Sequence, residues 1–183
     1  MHKYYAGIGS RQTPPNILAA MKTLASHLAR SGYILRSGAA DGADSAFESG
    51  CDAVGGPKQI YIPWSGFNKR NHGHGVVSLD RVGKPARDWA ESIAKEHHPS
   101  FGRLPRGVVA LHARNGFQIL GQSPTDTKSS FVVCWTADGS GSGGTGQAIR
   151  IAKAHGVPVF DLAFPEHLDR IARYCGDSSK PCS

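Results

Sequence analysis

The chain has 183 residues, of which 39% are hydrophobic, so it is long enough for one domain with its own core and too apolar for a disordered protein. Its apolar runs are too short to cross a bilayer, and the start KYYAGIGSR lacks a basic and apolar leader, so we expect a soluble cytoplasmic protein without membrane partners. The net charge of +7 and the pI near 9.4 favour anionic partners such as nucleotides or nucleic acid, although an evenly basic surface without such a partner has the same charge.

Three strands and two helices are predicted in the first third of the chain. The aromatic and apolar run 3–9 predicts a buried first strand. Thr13 is a candidate N-cap, and Pro14 suits the first position of a helix whose apolar residues recur at helical spacing. The segment 33–38 predicts the second strand, AADGADSAFESG the second helix, and 58–64 the third strand.

The middle of the chain predicts a loop and two helices, and the end predicts two more strands. Residues 65–80 are rich in Gly, Asn and His and read as a loop, which KPARDWAESIAKEHH and RGVVALHARNGFQILG follow as helices. The apolar segment 129–136 predicts the fourth strand, and a glycine-rich segment leads from it into the helix GQAIRIAKAHG. VPVFDL predicts the fifth strand, and 165–175 a closing helix.

Strands that alternate with helices predict parallel pairing with right-handed crossovers. The expected fold is α/β, a Rossmann-like open parallel sheet with helices on both faces, in one domain (1–183) with a helical insert at about 65–129. Ligands of such sheets bind beyond the carboxyl ends of the strands. Three segments fall there: GIGSR, RSGAADGAD and DGSGSGGTGQ.

The third segment has the features of an anion site. Its glycines precede a helix, so the backbone N–H groups of 138–147 should converge on a phosphate, with Thr145 adding a hydroxyl. We predict that Gly143, Gly144, Gly146 and Gln147 belong to this site. No lysine follows the glycines, so this is not a Walker loop, and a flexible loop without a ligand is the alternative.

The first two segments supply polar side chains to the same rim. Gly9 permits a tight turn that presents Ser10 and Arg11. The planar guanidinium of Arg11 can bind a phosphate through two parallel hydrogen bonds; the alternative is an ordinary surface arginine.

The second segment offers Ser37 and Gly38 at a strand end, with Asp44 and Glu48 beyond them. Asp44 and Glu48 are four residues apart and are predicted to share a helix face, where they could hold a ribose, act as catalytic acid or base, or serve only as cap and surface charge.

Together the three segments resemble the SLOG superfamily, which joins DNA-processing protein A and the Lonely Guy nucleotidases. The resemblance rests on GIGSR, SGAADGAD and GSGGTGQAIRIAKAHGVPVF and covers most of 4–162 apart from the insert. It implies a Rossmann-like fold that binds nucleotides or their derivatives, often as a homodimer, as in small phage or bacterial members. The helix after the glycines lacks the glutamate of Lonely Guy enzymes, and Glu48 stands where DNA-processing protein A has histidine, so neither activity transfers directly.

The insert is the candidate specificity element. LHARNGFQILG supplies His112, Arg114, Asn115 and Gln118, and Arg114 and Gln118 share a face if the segment is helical. A polar helix surface without a ligand is the alternative. The loop FNKRNHGHG is a candidate anion-contacting lid, because its two histidines have no carboxylate or cysteine beside them for a metal.

These observations support binding of a phosphorylated nucleotide derivative, such as an ADP-ribose-like or NAD-derived signal, by a sensor or sequestering protein. The alternatives are a nucleotide N-glycosidase that uses Asp44 or Glu48, and single-stranded DNA binding. We expect no cofactor and no metal. The predicted ligand-binding residues are Gly9, Ser10, Arg11, Ser37, Gly38, Asp44, Arg114, Gln118, Gly143, Gly144, Thr145, Gly146 and Gln147.

Overall fold

The computed structural model describes residues 2–137, 139, 141 and 143–176 of the chain. These residues form a six-stranded parallel sheet in the order β4-β3-β2-β1-β5-β6. The strands are β1 (Lys3–Gly7), β2 (Tyr33–Ser37), β3 (Lys58–Ile62), β4 (Val76–Ser78), β5 (Val132–Cys134) and β6 (Val159–Asp161). The helices are α1 (Pro15–Arg30), α2 (Ala43–Asp52), α3 (Lys84–Glu96), α4 (Arg106–Leu120), α5 (Gly143–Ala154) and α6 (Pro165–Gly176), with short 3-10 turns at Phe67–Lys69 and Phe101–Arg103.

Two helical layers cover the sheet, and neighbouring residues of a strand pack into opposite layers. In β1, Tyr5 joins the core under α1, α2 and α6, whereas Ala6 joins the core under α4 and α5. In β3, Tyr61 packs on the same side as Ala6, against Phe117 of α4 and the core shared with α3. The predicted three-layer α/β fold is confirmed. Within the described residues, none of the helices has the length and hydrophobicity of a membrane-spanning segment.

One strand lies where the sequence predicted only a loop. β4 falls within 65–80 and pairs with β3 through Ile60, Tyr61 and Ile62. A strand of three residues is too short to show an alternating pattern, and its two valines are only partly buried. The prediction of five strands was therefore one strand short.

Two helix starts also differ from the prediction. Pro14 occupies the N-cap of α1, and Thr13 instead donates its hydroxyl to the carbonyl of Ser10 at 2.7 Å, within the preceding loop. Helix α5 begins at Gly143, so the last glycines of the predicted loop belong to its first turn. Consecutive prolines and glycines provide neither a hydrophobic period nor a polar capping side chain that would mark where a helix begins. The sequence therefore places these two boundaries poorly.

Candidate functional site

A cavity of about 470 Å³ opens at the carboxyl ends of β1, β2 and β5. Its wall combines the loop after β1, the first turn of α2, one side of α4, the loop after β5 and the first turn of α5. The predicted residues that line it are Gly9, Ser10, Arg11, Asp44, Arg114, Gln118, Gly143, Gly144 and Thr145. The structure therefore brings all three segments and the insert to one cavity.

Arg114 is the central cation of this cavity. Only 7% of the residue is exposed, and its Nη1 donates hydrogen bonds to the carbonyls of Gly38 and, at 3.1 Å, of Tyr61. The same nitrogen lies 3.9 Å from Oδ2 of Asp44. Nε has no hydrogen-bond partner within the described part of the chain. A Cβ at Gly38 would collide with this guanidinium, so Gly38 lies behind the cavity wall and leaves space for Arg114.

Asp44 is a buried carboxyl at the point where three loops meet. Burial raises the pKa of Asp44 to about 6, against the opposing effects of the Arg114 charge and of hydrogen bonds from backbone N–H groups. Those N–H groups belong to Ala40, Gly38 and Gly9. One side chain therefore ties the loops after β1 and β2 to the start of α2, and it changes charge near pH 6.

A buried hydrogen-bond network fixes the α4 side of the cavity. Oε1 of Gln147 accepts from Nδ2 of Asn115 at 2.8 Å and lies 3.0 Å from Nδ1 of His112. Because that amide oxygen only accepts, Nδ1 of His112 donates, which leaves Nε2 as the acceptor of a neutral ring. Burial lowers the pKa of His112, so the ring is neutral at physiological pH. Gln147 is fully buried and does not line the cavity.

The first turn of α5 contributes Gly143, Gly144 and Thr145 to the wall. Their N–H groups belong to the helix N-terminus, which lacks intrahelical acceptors and attracts anions. Gly146 does not line the cavity, because it packs against the carbonyl of Gly141 so closely that a Cβ would not fit. The predicted anion site spanned 138–147, and Asp138, Ser140 and Ser142 of that range lie outside the described residues.

Two other predicted residues also lie away from the cavity. Ser37 is buried and donates its hydroxyl to the carbonyl of Gly7 at 2.7 Å. Glu48 pairs through Oε1 with Lys58 Nζ and with Arg70 Nη2, each at 2.8 Å. Four residues along α2 carry Glu48 about 6 Å further from the rim than Asp44, so the two carboxyls do not meet at one ligand.

The predicted lid FNKRNHGHG is fastened to the fold beside the cavity. Nδ2 of Asn68 donates to the carbonyl of Ala39 at 2.9 Å, and Arg70 pairs with Glu48. Phe67 is buried with the Arg114 guanidinium 5.4 Å from its ring centroid. No cluster of three or more metal-binding side chains occurs among the residues that the structure describes.

Several lining residues had no place in the predicted set. His112 and Asn115 were noted in the sequence as polar residues of the insert. Their closeness to Arg114 along the chain was the signal that could have placed them in the site. Thr136 had no such signal, because its N–H and hydroxyl both donate to Asp161, a partner distant in sequence. The apolar part of the wall, Val108 and Leu111 of α4, looks in the sequence like ordinary core.

No sequence profile of a known protein family matches this chain, and no curated protein matches it. Among solved structures, it is similar to DNA processing protein A from Helicobacter pylori, which was studied for its single-stranded DNA binding mode. That match has a TM-score of 0.58 and 19% identity over 95% of this chain and 79% of the other. DNA processing protein A from Streptococcus pneumoniae matches with a TM-score of 0.53 and 16% identity over 95% of this chain, which spans 56% of that protein.

The molybdenum cofactor carrier protein from Chlamydomonas reinhardtii matches with a TM-score of 0.42 and 17% identity, over 94% of this chain and 98% of the other. At these identities the likenesses to DNA processing protein A concern the fold alone. The chain has a Rossmann-like α/β fold similar to that of DNA processing protein A.

Proposed function

We propose that the protein binds a phosphorylated nucleotide derivative in this cavity, as a sensor or sequestering protein. The observation that carries the proposal is the convergence of two arginines and a helix N-terminus on one cavity. Arg11 is exposed at the rim, Arg114 is buried in the wall, and the first turn of α5 lies among the same lining residues. Each of these groups binds phosphate oxygens.

The electrostatics of the cavity favour an anion. The positive charge of Arg11 lowers the pKa of Arg114, although burial lowers it more. Asp44 is the acid among the described lining residues, and its charge, which is present above about pH 6, is offset by Arg114 at 3.9 Å. A bound phosphate relieves the repulsion between the two guanidiniums.

The size and the apolar part of the wall suit a nucleotide. Ligand cavities commonly measure about 300–1,000 Å³, and this one measures about 470 Å³. Ile8, Val108, Leu111 and Ala148 give it an apolar side, which fits a base or a similar flat group. Asn115 and His112 beside them offer directed polar contacts.

Calorimetry with a panel of nucleoside phosphates, NAD, ADP-ribose derivatives and single-stranded oligonucleotides tests the proposal. Arg11→Ala should weaken the best ligand about ten- to hundredfold, because it removes a charge-assisted contact worth about 1.5–3 kcal/mol. Arg30→Ala, at the exposed end of α1, is the matched control and should bind as the wild type does. Equal affinities in all three proteins would refute the proposal, and a preference for oligonucleotides would favour DNA binding.

One observation favours a second function, nucleotide N-glycosidase. Asp44 lines the cavity and has a pKa of about 6, which suits a general acid or base. Against it, Asp44 is already held by Arg114 and by loop N–H groups, and Glu48 is outside the cavity.

We expect the bound ligand to be recovered unchanged when the protein is incubated with nucleotides and the small molecules are separated by chromatography. The described lining residues include one carboxyl, Asp44, and this supports binding without cleavage. Repeated release of free base by the wild type, lost in Asp44→Asn, would replace the binding function by the glycosidase.

A further inference from the structure

A second cavity of about 290 Å³ lies on the α4 side of the sheet, over the strands β1, β2 and β3. Its wall consists of Tyr4, Arg36, Gln59 and Tyr61 from the sheet and of the loop 122–127. Arg36 and Gln59 are partners in the parallel register, so their side chains extend from the same face. Among the described residues, the two cavities share no lining residue.

Arg36 is a buried cation at the floor of this second cavity. Only 3% of the residue is exposed, and its guanidinium carbon lies 3.8 Å from the ring centroid of Tyr4. Nε donates to Oε1 of Gln59 at 2.9 Å, and Nη1 donates to the carbonyl of Thr127 at 2.8 Å. An arginine has five N–H groups. Two are used here, so three, including both on Nη2, have no acceptor within the described part of the chain.

The described residues provide Arg36 with no ion pair. Asp126 lines the same cavity, but its oxygens are used by its own turn. Oδ2 accepts from the backbone N–H of Gln122 at 2.6 Å, and Oδ1 accepts from the hydroxyl of Ser123 at 2.9 Å. Stacking on Tyr4 compensates a buried guanidinium only in part, and buried charges are otherwise paired.

The other polar groups of the wall do not take up the remaining N–H groups of Arg36. Oε1 of Gln59 accepts from both Arg36 Nε and the hydroxyl of Tyr61, the latter at 2.9 Å. Burial raises the pKa of Tyr61 to about 12, so this hydroxyl remains a neutral donor. Arg36 lines the cavity, and its Nη2 has no hydrogen-bond partner among the described residues.

We propose that this second cavity binds a small oxyanion, the carboxylate or phosphate group of a metabolite, on the free edge of Arg36. Two oxygens of such a group match the parallel N–H groups of Nη1 and Nη2. The bound anion is the counter-ion that the described residues do not provide.

The test is a titration followed by ¹⁵N NMR, with sodium phosphate, sodium acetate and sodium chloride at equal ionic strength. We expect saturable shifts with phosphate or acetate, and not with chloride, in the side-chain amides of Gln59 and Gln122 and the backbone N–H of Thr127. Phosphate alone would indicate a phosphoryl ligand, and acetate alone a carboxylate. The N–H signals of Gly144 and Thr145 report binding to the first cavity separately.

Thr125→Glu places a carboxylate on the exposed rim of the second cavity. It should compete for Arg36 and weaken the binding of phosphate or acetate by about tenfold or more. Ser92→Glu adds the same charge on exposed α3, outside the cavity, and should behave as the wild type does. Arg36→Gln should also abolish the shifts caused by phosphate or acetate, provided that this variant folds. If it does not fold, the comparison of Thr125→Glu with Ser92→Glu is the deciding test. Absence of a saturable shift, or equal responses in Thr125→Glu and Ser92→Glu, would overturn the proposal.

Discussion

The carboxyl of Asp44 lies where the loops after β1 and β2 meet the first turn of α2. Its pKa is raised from the usual 3.8 to about 6, because burial outweighs the Arg114 charge and the backbone hydrogen bonds. The folded state therefore holds this proton more tightly than the unfolded state. Protonation of Asp44 therefore stabilises the folded state. Its contribution to the free energy of unfolding is fully present below about pH 4 and is lost as the pH rises through about 6, a change of about 3 kcal/mol.

Asp44→Asn should remove this part of the pH dependence of stability, because the amide does not titrate. We expect the difference in free energy of unfolding between variant and wild type to change by up to about 3 kcal/mol between pH 4 and pH 7. Urea unfolding at several pH values measures it. Asp169→Asn, an exposed carboxylate of α6, is the control and should follow the wild-type curve. If the free energy of unfolding of Asp44→Asn depends on pH in the same way as that of the wild type, Asp44 is not the source of this pH dependence.

At the level of the element, the first turn of α5 contains glycines with different surroundings. Gly144 lines the cavity, and a Cβ there would meet nothing within 4 Å. Gly146 is fixed against the carbonyl of Gly141, where a Cβ does not fit. The two positions therefore separate ligand binding from packing within the same helical turn.

Gly144→Ala should fold as the wild type does, yet bind ligand about tenfold or more weakly, because its methyl group enters the path to the α5 N–H groups. Gly146→Ala should lower the melting temperature, because the loop at Gly141 must move. Thermal unfolding and calorimetry on both variants measure the two effects. A destabilised Gly144→Ala with unchanged affinity would contradict this assignment.

The same elements show how far the sequence predicts the fold and the site. Short apolar runs are strong signals, which is why five strands and the positions of the three motifs followed from the sequence. β4 was missed because three residues give no period. Gln147 and Gly146 were placed in the site from their distance along the chain, but rotation about the helix turns Gln147 toward α4 and Gly146 toward Gly141. Thr136 depends on Asp161, a contact that no local pattern reveals.

At the level of the whole molecule, 21 basic against 14 acidic residues are spread over the chain. A positive excess of this kind favours a small anion in the cavity and equally a nucleic acid backbone at the surface, so net charge alone does not separate the two proposed functions. The homo-oligomer that the SLOG resemblance implies stays a prediction, which light scattering of the purified protein would check.

The salt dependence of binding separates a cavity ligand from a nucleic acid. A mononucleotide that contacts Arg11, Arg114 and the α5 N-terminus exchanges few ions, so its affinity should fall less than about tenfold between 50 and 200 mM NaCl. Single-stranded DNA that neutralises Z phosphates on the basic surface loses affinity with a slope of about −0.7Z in log–log form. Calorimetry or fluorescence anisotropy at four salt concentrations measures both slopes. A steep slope that Arg11→Ala reduces only slightly would favour surface binding of DNA over the cavity, because many dispersed cations would then share the contacts.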